Sequence, residues 1–224
     1  MAFEEFGEVL DIVNYGTDTQ NDFAGMSDCA FAYVRDFKTE EMVEKLTAML
    51  EFFRNTERVE PDKLKETYAK VDAMSDDMKE YYMRLLMDSE AIECFISLSK
   101  AYSDDLAEKI EKGKSALKAW KDVGKDENLR SKYVAMDKRV GEMDLTRTVA
   151  GTFSAQMKVI RGNQLAMADR IMSTIVNSIA AWKSRIAMTR SMEADADMRN
   201  AALTDSIEEL LKLQREGNTY LNKA

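Results

Sequence analysis

The chain contains a single proline, Pro61, and only nine glycines among its 224 residues. Proline breaks a helix most reliably and glycine comes next, so most of this sequence is open to long, uninterrupted helices. The enrichment in Ala, Glu, Lys, Leu, Met and Asp, with 33% charged and only 8% aromatic residues, favours helices over strands. The expectation is an all-α fold, an elongated bundle of long antiparallel helices with coiled-coil-like packing. A hydrophobic content of 45% is enough to bury a core at this length.

Apolar residues recur at helical spacing along most of the chain. An amphipathic stretch from Phe3 to Val13 ends at Tyr15-Gly16. Phe23, Met26, Ala30 and Val34 then form one stripe, and Met42, Leu46, Met49, Leu50 and Phe53 another. Thr17-Asp18 and the run Lys38 to Glu41 suit helix starts, as do Ser75-Asp76-Asp77 and Ser103-Asp104-Asp105. Asp122 to Lys125 reads as a stop, with Gly124 in the left-handed position.

Leu129, Tyr133, Met136, Val140 and Met143 are heptad-like; the register then shifts to Val149, Phe153, Met157 and Ile160, with Gly162-Asn163 as a break. Ile171, Ile175, Ile179, Trp182 and Ile186 make the next stripe. The polar segment Asn55 to Lys63 is the best linker. It divides an N-terminal helical unit, 1–57, from a long-helix bundle, 58–224, unless the two form one continuous domain.

Charge is segregated. The 24 residues Leu145 to Ala168 contain no Asp or Glu and three basic residues, in a chain of formal net charge -9. From Glu127 to Arg190 there are eleven Lys or Arg against five Asp or Glu, a local +6 that leaves -15 for the remainder. On a helix Arg147, Lys158 and Arg161 fall within about 60° of one face, with Ser154 and Gly151 beside them. One reading is a site for an anion or an acidic partner. The plainer one is a solvated face that pairs with neighbours such as Asp144.

The sequence has no histidine, which removes the commonest general base and metal ligand and disfavours most hydrolytic and metal chemistry. No catalytic residue, metal site or cofactor is expected. Cys29 and Cys94 belong to no C-x-x-C pair and are expected to be buried as small hydrophobes. Met74, Met78, Met83 and Met87 have soft-ligand character but fit core filling better. Nucleic-acid binding is not expected, since Phe153 is the only aromatic among the basic residues and the chain is acidic. The N-terminus is acidic and no apolar run approaches the ~20 residues that span a bilayer, so the expectation is a cytoplasmic protein without a membrane span.

The run from Asp144 through Ser154 to Asn163, continuing through Ile171 to Ile175 and Ile179 to Lys183, resembles the toxic anion resistance (TelA-like, tellurite resistance) family. Tyr15-Gly16, Gln20 and the helical stretch up to Phe53 resemble the family's opening region. By this resemblance Arg147, Gln156, Asn163, Trp182 and Lys183 fall on motif positions. Ala155 and Ala180 stand where members commonly carry proline, which implies straighter helices here. The resemblance implies a role in bacterial resistance to tellurite and other stresses, without a known catalytic mechanism.

The resulting expectation is a non-enzymatic stress-resistance protein acting through an acidic or membrane-associated protein partner, or through anion contact, at Arg147, Lys158 and Arg161. One alternative is a scaffold that forms homo-oligomers through the Ile171 to Ile186 stripe. Another is direct detoxification of an oxyanion by Cys29, Cys94 or methionines.

Overall fold

The computed structural model describes residues 6–35, 39–55, 63–120, 126–188, 204–205 and 207–212. Helices dominate these residues and no strand occurs among them, so the fold is all-α. In chain order the elements are α1 (Val9–Asn14), α2 (Thr17–Arg35), α3 (Thr39–Asn55), α4 (Leu64–Trp120), α5 (Glu127–Ser173), a π-helical segment (Thr174–Ile179) and α6 (Ala180–Met188). A short helical stretch follows at 207–212.

The long helices override two expected boundaries. Ser75-Asp76-Asp77 and Ser103-Asp104-Asp105 lie inside α4 rather than at helix starts. Their side chains have other partners: Asp76 pairs with Lys79 at 2.7 Å, and Asp105 pairs with Lys109 one turn on. Gly162-Asn163 likewise interrupts nothing, and α5 runs through it. The starts of α2 at Thr17 and α3 at Thr39 fall where the capping residues predict them. The stop at Asp122 to Lys125 and the linker residues 56–62, including Pro61, lie outside the described residues.

The chain divides into two compact units that interleave in sequence, Met1–Tyr33 with Ile92–Lys158, and Val34–Ala91 with Val159–Ala224. Both α4 and α5 contribute residues to each.

In the first unit α2 runs antiparallel to α4. Thr19 meets Asp105, the rings of Phe23 and Tyr102 lie 6.5 Å apart, and those of Tyr33 and Phe95 lie 5.9 Å apart. Helices α4 and α5 are also antiparallel, with Ser99 donating to the Ala150 carbonyl at 3.0 Å and Gly113 against Met136 and Val140. A Cβ at Gly113 would stand 2.6 Å from Val140 Cγ2 and 3.1 Å from Met136 Sδ, so glycine sets how closely the two helices approach there. One cluster of this unit's core joins Phe6, Ile12, Leu106, Ile110, Trp120, Met136 and Met143.

Met136, Met143, Ala150 and Met157 of α5 recur at seven-residue spacing, all buried. Beside them the inward column passes from Val140 to Phe153 and Ile160, so the expected shift of register occurs with Phe153, Met157 and Ile160 buried. It does not include Val149: Ala150 is buried and Val149 is 50% exposed. Alanine fits because α4 comes close at that point, as the Ser99 contact shows.

In the second unit Met42, Leu46, Met49, Leu50 and Phe53 of α3 pack with Val71, Met78 and Leu85 of α4, with Met167 and Ile171 of α5, and with Ile207, Leu210 and Leu211. Trp182 of α6 joins the same core, its ring 5.2 Å from Phe53 and 6.2 Å from Phe52. Arg170 pairs with Glu209 and links the last helical stretch to the end of α5. Ile171, Ile179 and Trp182 are therefore buried inside this unit, which overturns the expectation that their stripe is a seam for self-association. The side chain of Ile186 lies outside the described residues.

Candidate interaction face on the fifth helix

The N-terminal segment docks on one flank of α5 through polar contacts. Lys132 donates to the carbonyls of Gly7 at 2.6 Å and Phe6 at 3.3 Å. Two turns on, the nearly buried Arg139 donates to the Tyr15 carbonyl at 2.6 Å and pairs with Glu142 at 2.9 Å. Gln20 then donates to the Glu142 carbonyl at 3.1 Å and the Thr146 hydroxyl at 2.6 Å. Gly16 makes this docking possible. It has φ +74°, and a Cβ there would stand 2.6 Å from Met143 Sδ, so a side chain would meet both backbone strain and a buried neighbour.

A second polar knot joins α2 to α4. Thr19 donates to Asp105 at 2.5 Å, and Lys109 donates to both, reaching Thr19 at 2.6 Å. The hydrogen bond from Lys109, followed by that from Thr19, holds the Asp105 carboxyl below its ordinary range.

Past this docking the acid-free stretch turns another flank outward. Arg147 and Lys158 are exposed on α5 and belong to the first unit. Among the described residues no ion pair or hydrogen bond holds either of them, Asp144 included. Arg161 differs: it is half-buried, makes an interaction of its own, and belongs to the second unit. The expected three-residue stripe therefore reduces to two exposed cations. Ser154 is half-buried nearby, and Gly151 faces open space with nothing within 4 Å, so it serves no close backbone approach.

The other motif positions serve different ends. Gln156 and Asn163 are half-buried, and the Asn163 side-chain nitrogen is enclosed without a hydrogen-bond partner among the described residues. Trp182 is core, and Lys183 pairs with Asp72 while its carbonyl accepts from the Tyr68 hydroxyl at 2.8 Å. Trp182 thus fastens α6 to α3, and Lys183 fastens it to the first turns of α4. The helix is uninterrupted at Ala155, as the absence of proline implies. At Ala180 the expectation of a straighter helix fails, because the π segment Thr174–Ile179 immediately precedes it. A π segment carries one residue more per turn than the α-helix and shifts the helix register without proline.

Two expectations about sulfur are answered by helix faces. Cys29 and Cys94 are both exposed, not buried. Ala30 takes the inward position of α2, and Ile92 and Ile96 take those of α4, which turns each cysteine out. Met78 is core, whereas Met83 and Met87 are more than half exposed. No group of three or more Cys, Asp or Glu side chains suited to a metal ion occurs among the described residues. No helix among them is long and apolar enough to cross a membrane.

Comparison with known proteins places this arrangement in a family. The model of the toxic anion resistance protein (TelA) family matches residues 60–216, more than half of the chain, and the chain belongs to that family. It is 25% identical over 174 residues to a TelA-like protein of Staphylococcus aureus strain Mu50, covering 69% of this chain and 46% of that protein. It is 22% identical over 243 residues to a TelA-like protein of Staphylococcus saprophyticus, covering 89% of this chain and 64% of that protein. The matches thus span about half to two thirds of the length of these relatives. No solved structure matches.

Proposed function

We propose that this chain is a non-enzymatic, cytoplasmic interaction module of bacterial resistance to toxic anions such as tellurite. It recognises an acidic protein partner through Arg147 and Lys158. The observation that carries this reading is the pair of exposed cations without a counter-ion among the described residues, on an acid-free stretch of an otherwise acidic chain. An exposed positive patch of this kind steers acidic surfaces toward it and discriminates among them by charge. The test is affinity purification from the native host with the chain intact and with Arg147→Glu and Lys158→Glu combined. Salt-sensitive partner recovery that disappears in the double variant supports the reading, and unchanged recovery rejects it.

A second reading draws on the exposure of both cysteines: Cys29 and Cys94 are accessible as thiols for binding an oxyanion. A Cys29→Ser and Cys94→Ser double variant that still protects cells from tellurite removes it.

A further inference from the structure

The segment Phe6 to Tyr15 joins the rest of the first unit through one conformationally special residue. Among the described residues Gly16 alone has a positive φ, and it turns the chain where α1 ends and α2 begins. Beyond that point α2 is pinned on its own account: Thr19 to Asp105 and Lys109, Gln20 to Glu142 and Thr146, and Phe23 edge-on to Tyr102 and Phe153. Lifting the segment before Gly16 removes none of these contacts.

Before Gly16 the hold is thinner. Helix α1 has six residues, fewer than the roughly 12–15 that an isolated helix needs to persist in water, so it depends on its seat. Phe6 and Ile12 are buried among Leu106, Ile110, Trp120, Met136 and Met143, with the Phe6 and Trp120 rings 6.2 Å apart. Leu10 and Val13 turn outward, 65% and 51% exposed.

The polar side of the seat is mismatched. Lys132 and Arg139 of α5 are cations, yet the segment offers them main-chain carbonyls, those of Phe6, Gly7 and Tyr15. Arg139 is nearly buried, and although Glu142 takes one of its nitrogens, Nη2 is enclosed without a hydrogen-bond partner among the described residues. An enclosed donor of this kind costs free energy that is recovered when water or a carboxylate reaches it. Opening therefore exposes apolar surface but relieves a buried cation.

The segment itself shows what suits the groove. It is amphipathic and acidic: Glu8 and Asp11 are its only charged residues, both exposed, and no Lys or Arg occurs in the chain before Arg35. A helix of the same pattern that brings a carboxylate to Lys132 or Arg139 makes charge-assisted bonds where the segment makes only carbonyl ones.

We propose that Phe6 to Tyr15 form an autoinhibitory strap, which swings away at Gly16 and is replaced in the groove between α4 and α5 by a short acidic amphipathic helix of a partner protein. The strap goes beyond the function inferred above and uses neither Arg147 nor Lys158, so its failure leaves that reading standing.

The experiment uses the full chain, its Ile12→Asp variant and a fluorescent peptide with the sequence of residues 1–16, followed by anisotropy. Ile12→Asp unseats the strap and leaves the residues of α4 and α5 unchanged, and circular dichroism checks that the long helices are retained. The peptide is expected to bind the variant at least about tenfold more tightly than the parent, and a peptide carrying Glu4→Lys, Glu5→Lys and Glu8→Lys to bind the variant at least about tenfold more weakly. Equal binding to parent and variant, no binding to the variant, or indifference to the charge reversal overturns the proposal. Hydrogen exchange of the parent gives a readout that needs no variant. The amides of Ile12 and Tyr15, bonded to the Glu8 and Ile12 carbonyls, are expected to exchange at least about tenfold faster than those of Met136 to Met143. Equal protection means that the segment opens only with the whole unit, and overturns the strap.

Discussion

Gln20 donates its side-chain amide to the Thr146 hydroxyl across 126 positions of sequence, at 2.6 Å. The same nitrogen reaches the Glu142 carbonyl at 3.1 Å, so one residue of α2 is tied to two points on α5. Thr146 immediately precedes Arg147, and the contact fixes the start of the acid-free stretch. Gln20→Ala is expected to lower stability by about 1 kcal/mol, the usual net value of such a bond, and Thr146→Val by a similar amount. Urea denaturation of the single and double variants checks this, with the double variant losing less than the sum because both remove one interaction.

Gly16 predicts a larger and differently caused loss. Gly16→Ala places a Cβ at φ +74° and into Met143 Sδ, and the left-handed backbone alone costs about 1–2 kcal/mol. Gly16→Asn should cost less than a β-branched substitution, since Asn tolerates this conformation better. Thermal unfolding of Gly16→Ala, Gly16→Asn and Gly16→Val should rank them accordingly, Val lowest.

The Asp105 knot gives a pH dependence with a definite sign. Its hydrogen bonds from Lys109 and Thr19 favour the charged carboxylate and lower its folded-state pKa. That contribution is present above the unfolded carboxylate value, about 3.9, and is lost as pH falls through the lowered folded value. Asp105→Asn is therefore expected to be less stable than the parent at pH 7, with the gap closing as the pH drops below about 3.9. Denaturation midpoints of both proteins across pH 2.5 to 7 test it, and a gap that widens in acid contradicts it.

Trp182 lies in the second unit's core against both Phe52 and Phe53. Trp182→Ala should cost about 3–5 kcal/mol, as large aromatic truncations in a core do, and Trp182→Phe should recover part of it. Lys183→Met, which keeps the stem but removes the charge facing Asp72, should cost 1 kcal/mol or less, because that pair is only partly buried. Circular dichroism melts separate the two.

The helical class was legible because the lone Pro61 and the recurring apolar positions leave little else for this chain to form. Helix starts at Thr17 and Thr39 were legible from their capping residues, while the similar signals at Ser75 and Ser103 misled. Serine and aspartate are compatible with a helix interior when their side chains have partners there, and Asp76 has Lys79 while Asp105 has Lys109 and Thr19. The core position of Ala150 was hidden because hydrophobicity points to Val149, whereas helix proximity selects the smaller neighbour. Of the candidate site, Arg147 and Lys158 could be read from charge alone. The exposure of the two cysteines follows from which neighbouring residues face inward, a matter of helix phase that residue type does not give.

The π segment at Thr174–Ile179 means that this part of the chain is read by length as much as by chemistry. It buries Thr174 and Ile179 and leaves Val176 and Asn177 outside, so those two outer side chains have little to specify. The register they carry is another matter. Everything downstream, Trp182 against its two rings and Lys183 over Asp72, is aimed by the number of residues that pass through those turns, and a one-residue deletion would re-aim both by about 100°. In this region an exposed residue can be exchanged freely but cannot be dispensed with.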